Sequence, residues 1–575
     1  MSDEQRPWPT LNPLRRWGPI VLVLAVFVAL AAVATTRSPS GTTVAGKSKT
    51  TTRSLADNPD LPVTYAEAEK KGNADSITWG NCDPKTGLIR YPSVYAPPCV
   101  PEHTGSNGGA TSQGVTASAI KVVYYTAPPG DLTSAIAGNL DTPEAVTASV
   151  KEYLKMFEAT FETYGRKIEI IPMTGSGVGT DETAARADAV KVATQTKAFA
   201  SIGGPSQTAV YADELANRGV LCLSCGLSVP NSTYAANAPF MWGTLPTAEQ
   251  FLENVGLFLT TQLNNKPAKW AGDPEMRTEQ RSFGVVHYDQ DPPVFTGVSK
   301  VFNDLGAKNG WVPEENITYI LDLAKLPETA ASIIAKLKAA GVTTVVFLGD
   351  PIMPIYLTKA ATEQDYHPEW IVTGTVLTDT TALARNYDQD QWAHAFGVST
   401  LPVRTPHDDA DAYRIYNWFF GEMPEANKTA GVFYPNLLQL FQGIQMAGPK
   451  LTPQTFAGGM FRLPPAGGEP GAPQASYGNP ELFSFAKDDF TSVDDSTLIW
   501  WDATAKGDDE QGTDGEGMYR YVDGGKRYLP GKMPEALQSF FSKAGTITAF
   551  DGQPPGLKTP AYPPPAGAPA AKSGD

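Results

Sequence analysis

The chain has 575 residues, of which 41% are hydrophobic and 18% charged, a balance typical of soluble globular proteins. Its formal net charge of −16 disfavours contact with phosphate backbones, and no run of Lys and Arg interleaved with aromatic residues is present, so the composition argues against nucleic-acid binding. Proline clusters near the two ends and in one late segment, which indicates linkers around a folded centre.

The first predicted element is a membrane span. No residue of 17–36 is charged, and about 20 apolar residues are enough for a helix to cross a bilayer. Arginines precede the span, which favours a cytoplasmic tail, 1–16, and an extracellular remainder attached to the plasma membrane by a single pass. The alternative is a cleaved signal peptide, because Ala32-Val33-Ala34 fits a small-residue cleavage site, and the protein is then secreted.

Four cysteines fit an exported protein, because disulfides form in oxidising compartments. The pairs close in sequence are Cys82 with Cys99 and Cys222 with Cys225, but four cysteines allow three pairings and the sequence does not choose among them. A thiol redox role for Cys222 and Cys225 is disfavoured, since their motif ends an apolar strand and enters a loop at Gly226 instead of opening a helix. We expect a local disulfide or buried thiols there, and an extracellular stalk with a Cys pair over 37–115.

The next part of the chain alternates short apolar runs with helical segments, as in βαβ units with parallel sheets. Two such blocks follow each other, and Pro246 marks the crossing between them. We therefore predict an α/β fold with two Rossmann-like lobes joined by a hinge. The predicted strands are 120–125, 167–171, 198–202 and 219–223 in the first block, and 283–287, 317–321, 343–348 and 370–372 in the second.

After about residue 395 the pattern changes. Residues 397–400 are predicted to form an edge strand, followed by amphipathic helices at 408–423 and 432–447. A Pro/Gly-rich loop at 462–480 precedes a β-rich ending, 497–501 and 518–522. The two-lobed domain is thus assigned to 116–550, with lobe I at 116–245 plus part of 400–460, lobe II at 246–400 plus part of 461–550, and a disordered tail at 551–575.

Several segments together resemble the type I periplasmic binding proteins, which include leucine/isoleucine/valine-binding proteins. The stretch SIGGPSQTAVYADELANRGVLCLSCGLS at 201–228 is similar to a family strand, Ser-rich turn, helix and second strand. The resemblance covers about 116–525 and extends, in the same order along the chain, to GVTASAIKVVYYT, FGVVHYDQD, GVTTVVFLGDP and FYPNLLQLFQGIQMAG.

This resemblance implies a ligand site in the cleft between the lobes, off the carboxyl ends of the strands. In lobe I the ligand's carboxylate or an equivalent oxygen would be held by loop residues, and the opposite wall would come from lobe II and the late helix. The implied ligand-binding residues are Ser206, Gln207, Gly226, Leu227, Ser228, Tyr288, Asp289, Asp350, Thr375 and Tyr434.

Alternatives remain open for these residues. The loop residues of lobe I also fit ordinary turns, and Tyr434 fits a core aromatic equally well. In amino-acid-binding relatives an acidic residue near 374–376 pairs with the ligand's ammonium, but here no acid follows until Asp379. A plain α-amino acid is therefore in doubt unless Asp350 or Asp379 supplies the charge.

The sequence argues against catalysis. Its five His show no metal-ligand spacing, and no G-x-S-x-G nucleophile motif is present, so we predict no enzyme, no catalytic residue, no metal and no cofactor. The predicted function is capture of a small polar ligand, such as an amino acid or amide, for an ABC-type transporter permease or a sensor. A surface-anchored scaffold with a degenerate binding fold is the first alternative, and a cell-surface enzyme is the second.

Overall fold

The computed structural model describes residues 55–129, 131, 141–226, 229–289, 295–480, 489–554, 557 and 559–572. The predicted tail 1–16 and span 17–36 lie outside these residues. Among the helices that are described, none combines the length and the apolar character needed to cross a membrane.

The strands define two main sheets and one small strand pair. In chain order they are β1 (Cys82–Asp83), β2 (Leu88–Ile89), β3 (Ala119–Thr126), β4 (Lys167–Thr174), β5 (Ala200–Ile202), β6 (Leu221–Leu223), β7 (Met241–Trp242), β8 (Phe283–Asp289), β9 (Glu315–Ile320), β10 (Thr344–Leu348), β11 (Glu369–Val372), β12 (Ala395–Ser399), β13 (Ser496–Asp508), β14 (Asp514–Tyr521) and β15 (Arg527–Tyr528).

The α-helices lie on the faces of the two main sheets and in the segments between them. In chain order they are α1 (Tyr65–Lys70), α2 (Pro143–Thr160), α3 (Glu182–Lys191), α4 (Val210–Asn217), α5 (Asn231–Asn237), α6 (Ala248–Phe258), α7 (Thr296–Lys308), α8 (Leu326–Ala339), α9 (Met353–Glu363), α10 (Thr381–Ala384), α11 (Gln389–Trp392), α12 (Asp411–Phe420), α13 (Ala430–Ala447) and α14 (Pro453–Met460).

Lobe I is built on a parallel sheet in the order β4-β3-β5-β6-β7. Its strands are short and apolar, and neighbouring residues such as Val122 and Val123 are both fully buried. Burial of successive residues means that both faces of the sheet are covered, as expected for a parallel sheet flanked by helices. The late helices α12, α13 and α14 contribute to the same core.

Lobe II is built on a second sheet in the order β14-β13-β12-β11-β10-β8-β9, with β15 paired to β13. Strands β8 to β12 are parallel. Val286 and Val345 belong to the core under α8 and α9, whereas Val285 and Val346 belong to the core under α6 and α7. The predicted α/β fold with parallel sheets is therefore confirmed.

The late strands change the predicted edge of this sheet. Residues 397–400 were expected at an edge, but β12 lies inside the sheet, parallel to β11 and antiparallel to β13. The hairpin β13–β14 supplies the outer strands, with Phe396 opposite Trp500 and Ser399 opposite Thr497. The side chains of β12 are accordingly buried throughout.

The predicted stalk differs from the structure, because its described part packs on lobe I. Leu55, Ile89 and Tyr91 belong to the lobe I core. The ring of Tyr91 lies 5.3 Å from that of Phe161. The aromatic residues that the sequence places between Cys82 and Cys99 are what make this packing favourable, and a disulfide links these two cysteines.

The chain before α1 meets lobe I at one end of α13. Asp60 forms a 2.9 Å ion pair with Lys450, which lies just beyond the last turn of this helix. Asn436 lies in the second turn of α13, and its side-chain oxygen accepts hydrogen bonds from Ser224 and Thr244. Residue 60 is therefore separated from the ends of β6 and β7 by the part of the helix that follows Asn436.

The predicted disordered tail also differs, because its described residues return to lobe I. Ala568 is 1% exposed and belongs to the lobe I core. The indole of Trp418 donates to the Tyr562 carbonyl at 2.8 Å, and the Tyr562 hydroxyl donates to Asp83 at 2.9 Å. Its apolar and aromatic residues thus brace α12 and the strand pair β1–β2.

Apart from this tail, three segments of the described chain run between the lobes. We call them connection 1 (243–247), connection 2 (400–410) and connection 3 (461–495, described except for 481–488). Connections 1 and 3 are joined directly, since the Gly243 amide donates to the Phe490 carbonyl at 3.0 Å.

Candidate functional site

The carboxyl ends of the two sheets meet across a cleft. Val229 follows β6, and its carbonyl accepts a 3.1 Å hydrogen bond from Ala248, the first residue of α6. The Asn231 amide of α5 donates to the Glu249 carboxylate of α6 at 2.8 Å. Because helices of such sheets begin where strands end, these contacts bring the binding edges of both lobes together.

In lobe I, the loops after β4 and β5 converge on the cleft. The Gly179 amide donates to the Asp131 carboxylate at 2.6 Å. A Cβ atom at residue 179 would lie 3.0 Å from this carboxylate and 3.1 Å from the Ser206 hydroxyl. A side chain at 179 would therefore have to displace these groups slightly, and the predicted residues Ser206 and Gln207 lie in a half-buried turn next to it.

The loop after β6 carries the remaining lobe I predictions. Gly226 directly follows a disulfide between Cys222 and Cys225, which closes the end of the strand. Both cysteines are buried. Leu227 and Ser228 lie outside the described residues, so their role stays a prediction.

In lobe II, Tyr288 and Asp289 end strand β8. The Tyr288 ring is half-buried, 5.8 Å from Phe295 and 5.9 Å from Tyr319. Burial and the nearby carboxylates raise the pKa of Tyr288 to about 12, so its hydroxyl is a hydrogen-bond donor at neutral pH. Asp289 is 3% exposed and accepts from the Phe295 amide at 2.9 Å.

Asp350 and Thr375 lie close to one another but serve the fold. The Asp350 carboxylate accepts hydrogen bonds from Tyr319 and from the first amides of α9, as an N-terminal cap does. Burial raises the pKa of Asp350. The Thr375 hydroxyl accepts from the Gly349 amide at 3.1 Å. The polar atoms of both side chains are thus occupied within lobe II.

Tyr434 lies in the core of lobe I instead of the cleft. It is 4% exposed, and its hydroxyl is 2.7 Å from that of Tyr91. Its ring stacks on Phe157 with centroids 5.8 Å apart. The side of α13 that packs on α2 includes this residue, which explains its burial.

A pocket that the sequence did not predict lies where connections 1 and 2 meet lobe II. It is small and apolar, and connections 1 and 2 both reach it. Its lining residues are Leu245, Phe251, Gly374, Val376, Leu377, Thr400 and Leu401. Val376 and Leu377 have φ values of 45° and 65°, a left-handed conformation that is unfavourable for side chains of this size. Such strain concentrates at ligand-binding sites.

Asp379 lies against this pocket. Its Oδ2 atom would be 3.2 Å from a Cβ at Gly374, and it accepts a 2.5 Å hydrogen bond from Ser399. The residue is 4% exposed, and its Oδ1 atom has no hydrogen-bond partner among the described residues. Burial raises the pKa of Asp379 to about 7. The sequence named Asp379 together with Asp350 as a possible source of charge, and the left-handed residues Val376 and Leu377 that precede it in this turn were not predictable.

Further unpartnered oxygens follow the same turn. The hydroxyls of Thr378 and Thr381 are buried and have no partner in the described part of the chain. Buried polar atoms are nearly always satisfied by protein, water or ligand. Three unpartnered oxygens within four residues, just after the pocket residues Val376 and Leu377, therefore indicate a place where a ligand could donate hydrogen bonds. No three His, Cys, Asp or Glu side chains of the described residues are grouped so that they could hold a metal ion.

No family model matches the chain, and no curated protein matches it. Solved structures do. The solute-binding protein of an ABC transporter from Rhodopseudomonas palustris, in complex with 3,4-dihydroxybenzoic acid, is 14% identical, with 77% of this chain and 99% of that chain covered and a TM-score of 0.46.

Two further structures are described as amino-acid-binding proteins. The branched-chain amino acid transporter substrate-binding protein of Streptococcus pneumoniae, in complex with isoleucine, is 12% identical over 70% of this chain and 100% of that chain, with a TM-score of 0.45. The leucine-, isoleucine-, valine-, threonine- and alanine-binding protein of Brucella ovis, in its closed conformation, is 14% identical over 76% of this chain and 100% of that chain, with a TM-score of 0.47.

Proposed function

We propose that the protein binds a small solute between its lobes, and that this solute carries an ammonium group beside an apolar body. The observation that carries the proposal is the Asp379 carboxyl group, which is buried against the apolar pocket with one oxygen unpartnered. A buried carboxylate is costly unless a donor or a cation satisfies it. A solute ammonium would supply both.

The chemistry of the pocket selects between donors. The unpartnered Oδ1 atom of Asp379 is an acceptor, and an ammonium group satisfies it with a charge-assisted hydrogen bond. The Thr378 hydroxyl can donate or accept, so the carboxylate and not the hydroxyl is the group that favours an ammonium. The pocket walls formed by Phe251, Leu245 and Leu401 suit an aliphatic or aromatic body.

The position of the pocket supports closure on binding. Leu245 belongs to connection 1 and Leu401 to connection 2, while Gly374 and Val376 come from the lobe II loop after β11. A solute held there touches two of the segments about which the lobes would move. It therefore favours whichever lobe arrangement gives it more contacts.

We extend the proposal to an exported protein that presents the solute to an ABC-type permease or to a sensor, with binding and no chemical step. The predicted N-terminal anchor, lobe I residues such as Ser206 and Ser228, and Tyr288 in lobe II remain parts of this proposal. A tethered protein would be held near its membrane partner at a raised local concentration.

A thermal-shift screen of the full chain tests the proposal. The panel contains amino acids, aliphatic and aromatic amines, polyamines, amides, urea and short peptides. A solute at about 100 times its Kd stabilises the native state by about 2.7 kcal/mol. We expect a hit among compounds with an ammonium and an apolar body, and we expect Asp379→Asn to lose it.

The matched control is Asp508→Asn, which changes an exposed carboxylate near the β13–β14 turn. It should keep the shift. A hit that persists in Asp379→Asn would overturn the ammonium assignment. A folded protein that responds to no compound would favour a scaffold role at the cell surface.

A further inference from the structure

Two buried carboxyl groups flank the end of connection 3, where the chain enters β13. Asp489 and Asp494 are each 2% exposed. One amide group joins them, because the Gln250 Nε2 atom of α6 donates to Asp489 at 3.0 Å and to Asp494 at 3.4 Å. The pair therefore ties connection 3 to the first helix of lobe II.

The orientation of the Gln250 amide is fixed. Its Oε1 atom accepts from the Thr247 amide of connection 1 and from the Thr491 hydroxyl of connection 3, both at 2.7 Å. Its NH₂ group must consequently face the two carboxyl groups. One glutamine thus links both connections, in addition to the backbone bond between Gly243 and Phe490.

In the described part of the chain, no Lys or Arg side chain pairs with either carboxyl group. The adjacent Asp495 is already paired with Arg527. The other ionisable groups that face the pair are Tyr234 of α5, beside Asp489, and Tyr477 of connection 3, beside Asp494.

Two adjacent buried carboxyl groups cannot both be charged at low cost, so the pair retains a proton. Burial raises the pKa of both carboxyl groups, and the charge of Asp489 raises that of Asp494 further. The Asn479 amide donates to the Asp494 carboxyl at 3.1 Å, on the side away from Gln250.

We propose that Asp489 and Asp494 form a proton-operated latch that sets the angle between the lobes. With a shared proton, the pair and Gln250 hold connections 1 and 3 together, as in this structure. After the proton leaves, two charges repel each other across the Gln250 amide, although Thr491 and Asn479 also donate hydrogen bonds to them, and the connections separate. Solute affinity then follows pH, a consequence that depends on the function proposed above.

The latch is tested without any solute. Nitroxide labels on Lys155→Cys of α2 and Lys336→Cys of α8, both exposed, report the distance between the lobes in the full chain. The distance is measured by electron–electron double resonance between about pH 5 and about pH 10, a range that brackets the titration of a raised carboxyl pair. We expect the distance distribution to shift as the pH rises.

Asp494→Asn mimics the protonated carboxyl group and should keep the low-pH distance throughout, and Asp489→Asn serves the same purpose if the first variant does not fold. Glu253→Gln removes another buried carboxyl group of α6 and should leave the shift intact. The control for ionic strength is the same labelled chain, without a further substitution, measured at fixed pH and varied salt.

Two results would overturn the latch. One is a wild-type distance that stays constant over the whole range, and the other is an unchanged shift in the Asn variants. Because no solute is present, a failed solute screen leaves this measurement valid. Conversely, a constant distance leaves binding at Asp379 untouched.

Discussion

Arg527 and Asp495 form a two-pronged ion pair that is closed to solvent, with two hydrogen bonds of 2.9 Å and side-chain exposures of 0% and 1%. The same guanidinium donates to the carbonyls of Thr400 and Leu401 in connection 2. It also donates to the Ser476 hydroxyl in connection 3 at 3.0 Å. One side chain thus joins two connections to the lobe II sheet.

Removal of this guanidinium should strongly destabilise the protein. Arg527→Met leaves Asp495 buried and unpaired, which costs about 3–5 kcal/mol. The free energy of unfolding, measured by urea denaturation, checks this. Lys300→Met is the control, since the Lys300–Asp304 pair is 74% and 65% exposed and is worth less than about 1 kcal/mol. Equal losses in the two variants would contradict the structural role of Arg527.

Because Glu253 is buried, we expect the protein to lose stability as the pH rises. Burial raises its pKa to about 7 in the folded protein, while an unfolded Glu titrates near about 4.3. Below the pKa of the unfolded state, Glu253 is protonated in both states and does not lower the free energy of unfolding. That free energy falls as the pH rises through the pKa of the folded state. Glu253→Gln should raise the Tm above about pH 7 and leave it unchanged near about pH 4.

The control for this prediction is Glu363→Gln, on the exposed face of α9. Its effect on the Tm should be small and should not grow with pH. If Glu253→Gln stabilises the protein equally at acidic and neutral pH, the effect comes from packing and the titration argument fails.

We expect substitution of Tyr434 to change the stability of the protein without changing solute binding. Tyr434→Phe leaves the buried Tyr91 hydroxyl without its 2.7 Å partner, which should cost about 1–3 kcal/mol. The double variant with Tyr91→Phe removes both polar groups and should recover part of the loss. Denaturation measures the stability, and the best compound of the solute screen measures the binding. Reduced solute affinity with unchanged stability would contradict this and would support the prediction that Tyr434 contacts the ligand.

The sequence was sufficient to predict most parallel strands of both lobes, but not the short strand β7 or the inner position of β12. Apolar runs such as those of β3 and β10, bounded by turns and separated by amphipathic helices, depend on local periodicity and on burial of both sheet faces. The antiparallel closure by β13 and β14 was not predictable in the same way. Pairing of β12 with β13 joins residues about a hundred positions apart, and no local pattern records such a partner.

The candidate site was predictable in outline only. The chemistry of Ser206, Tyr288 and Asp350 was visible, but whether a polar atom is free or occupied depends on neighbours from other elements. Asp350 is used by Tyr319 and α9. Asp379 gains its importance from Ser399 and from the left-handed turn before it, and the sequence identified it only as one of two possible sources of charge.

The path of α13 has a practical consequence. The helix has 18 residues and is about 27 Å long, with Asn436 in its second turn near the ends of β6 and β7 and the Lys450–Asp60 pair beyond its last turn. A surface or bead coupled through the chain that precedes Leu55 would be attached to lobe I at the end of α13 that is distant from β6 and β7. The ends of β6 and β7 would then lie on the side of lobe I away from the support, which suits this attachment to an immobilised solute sensor.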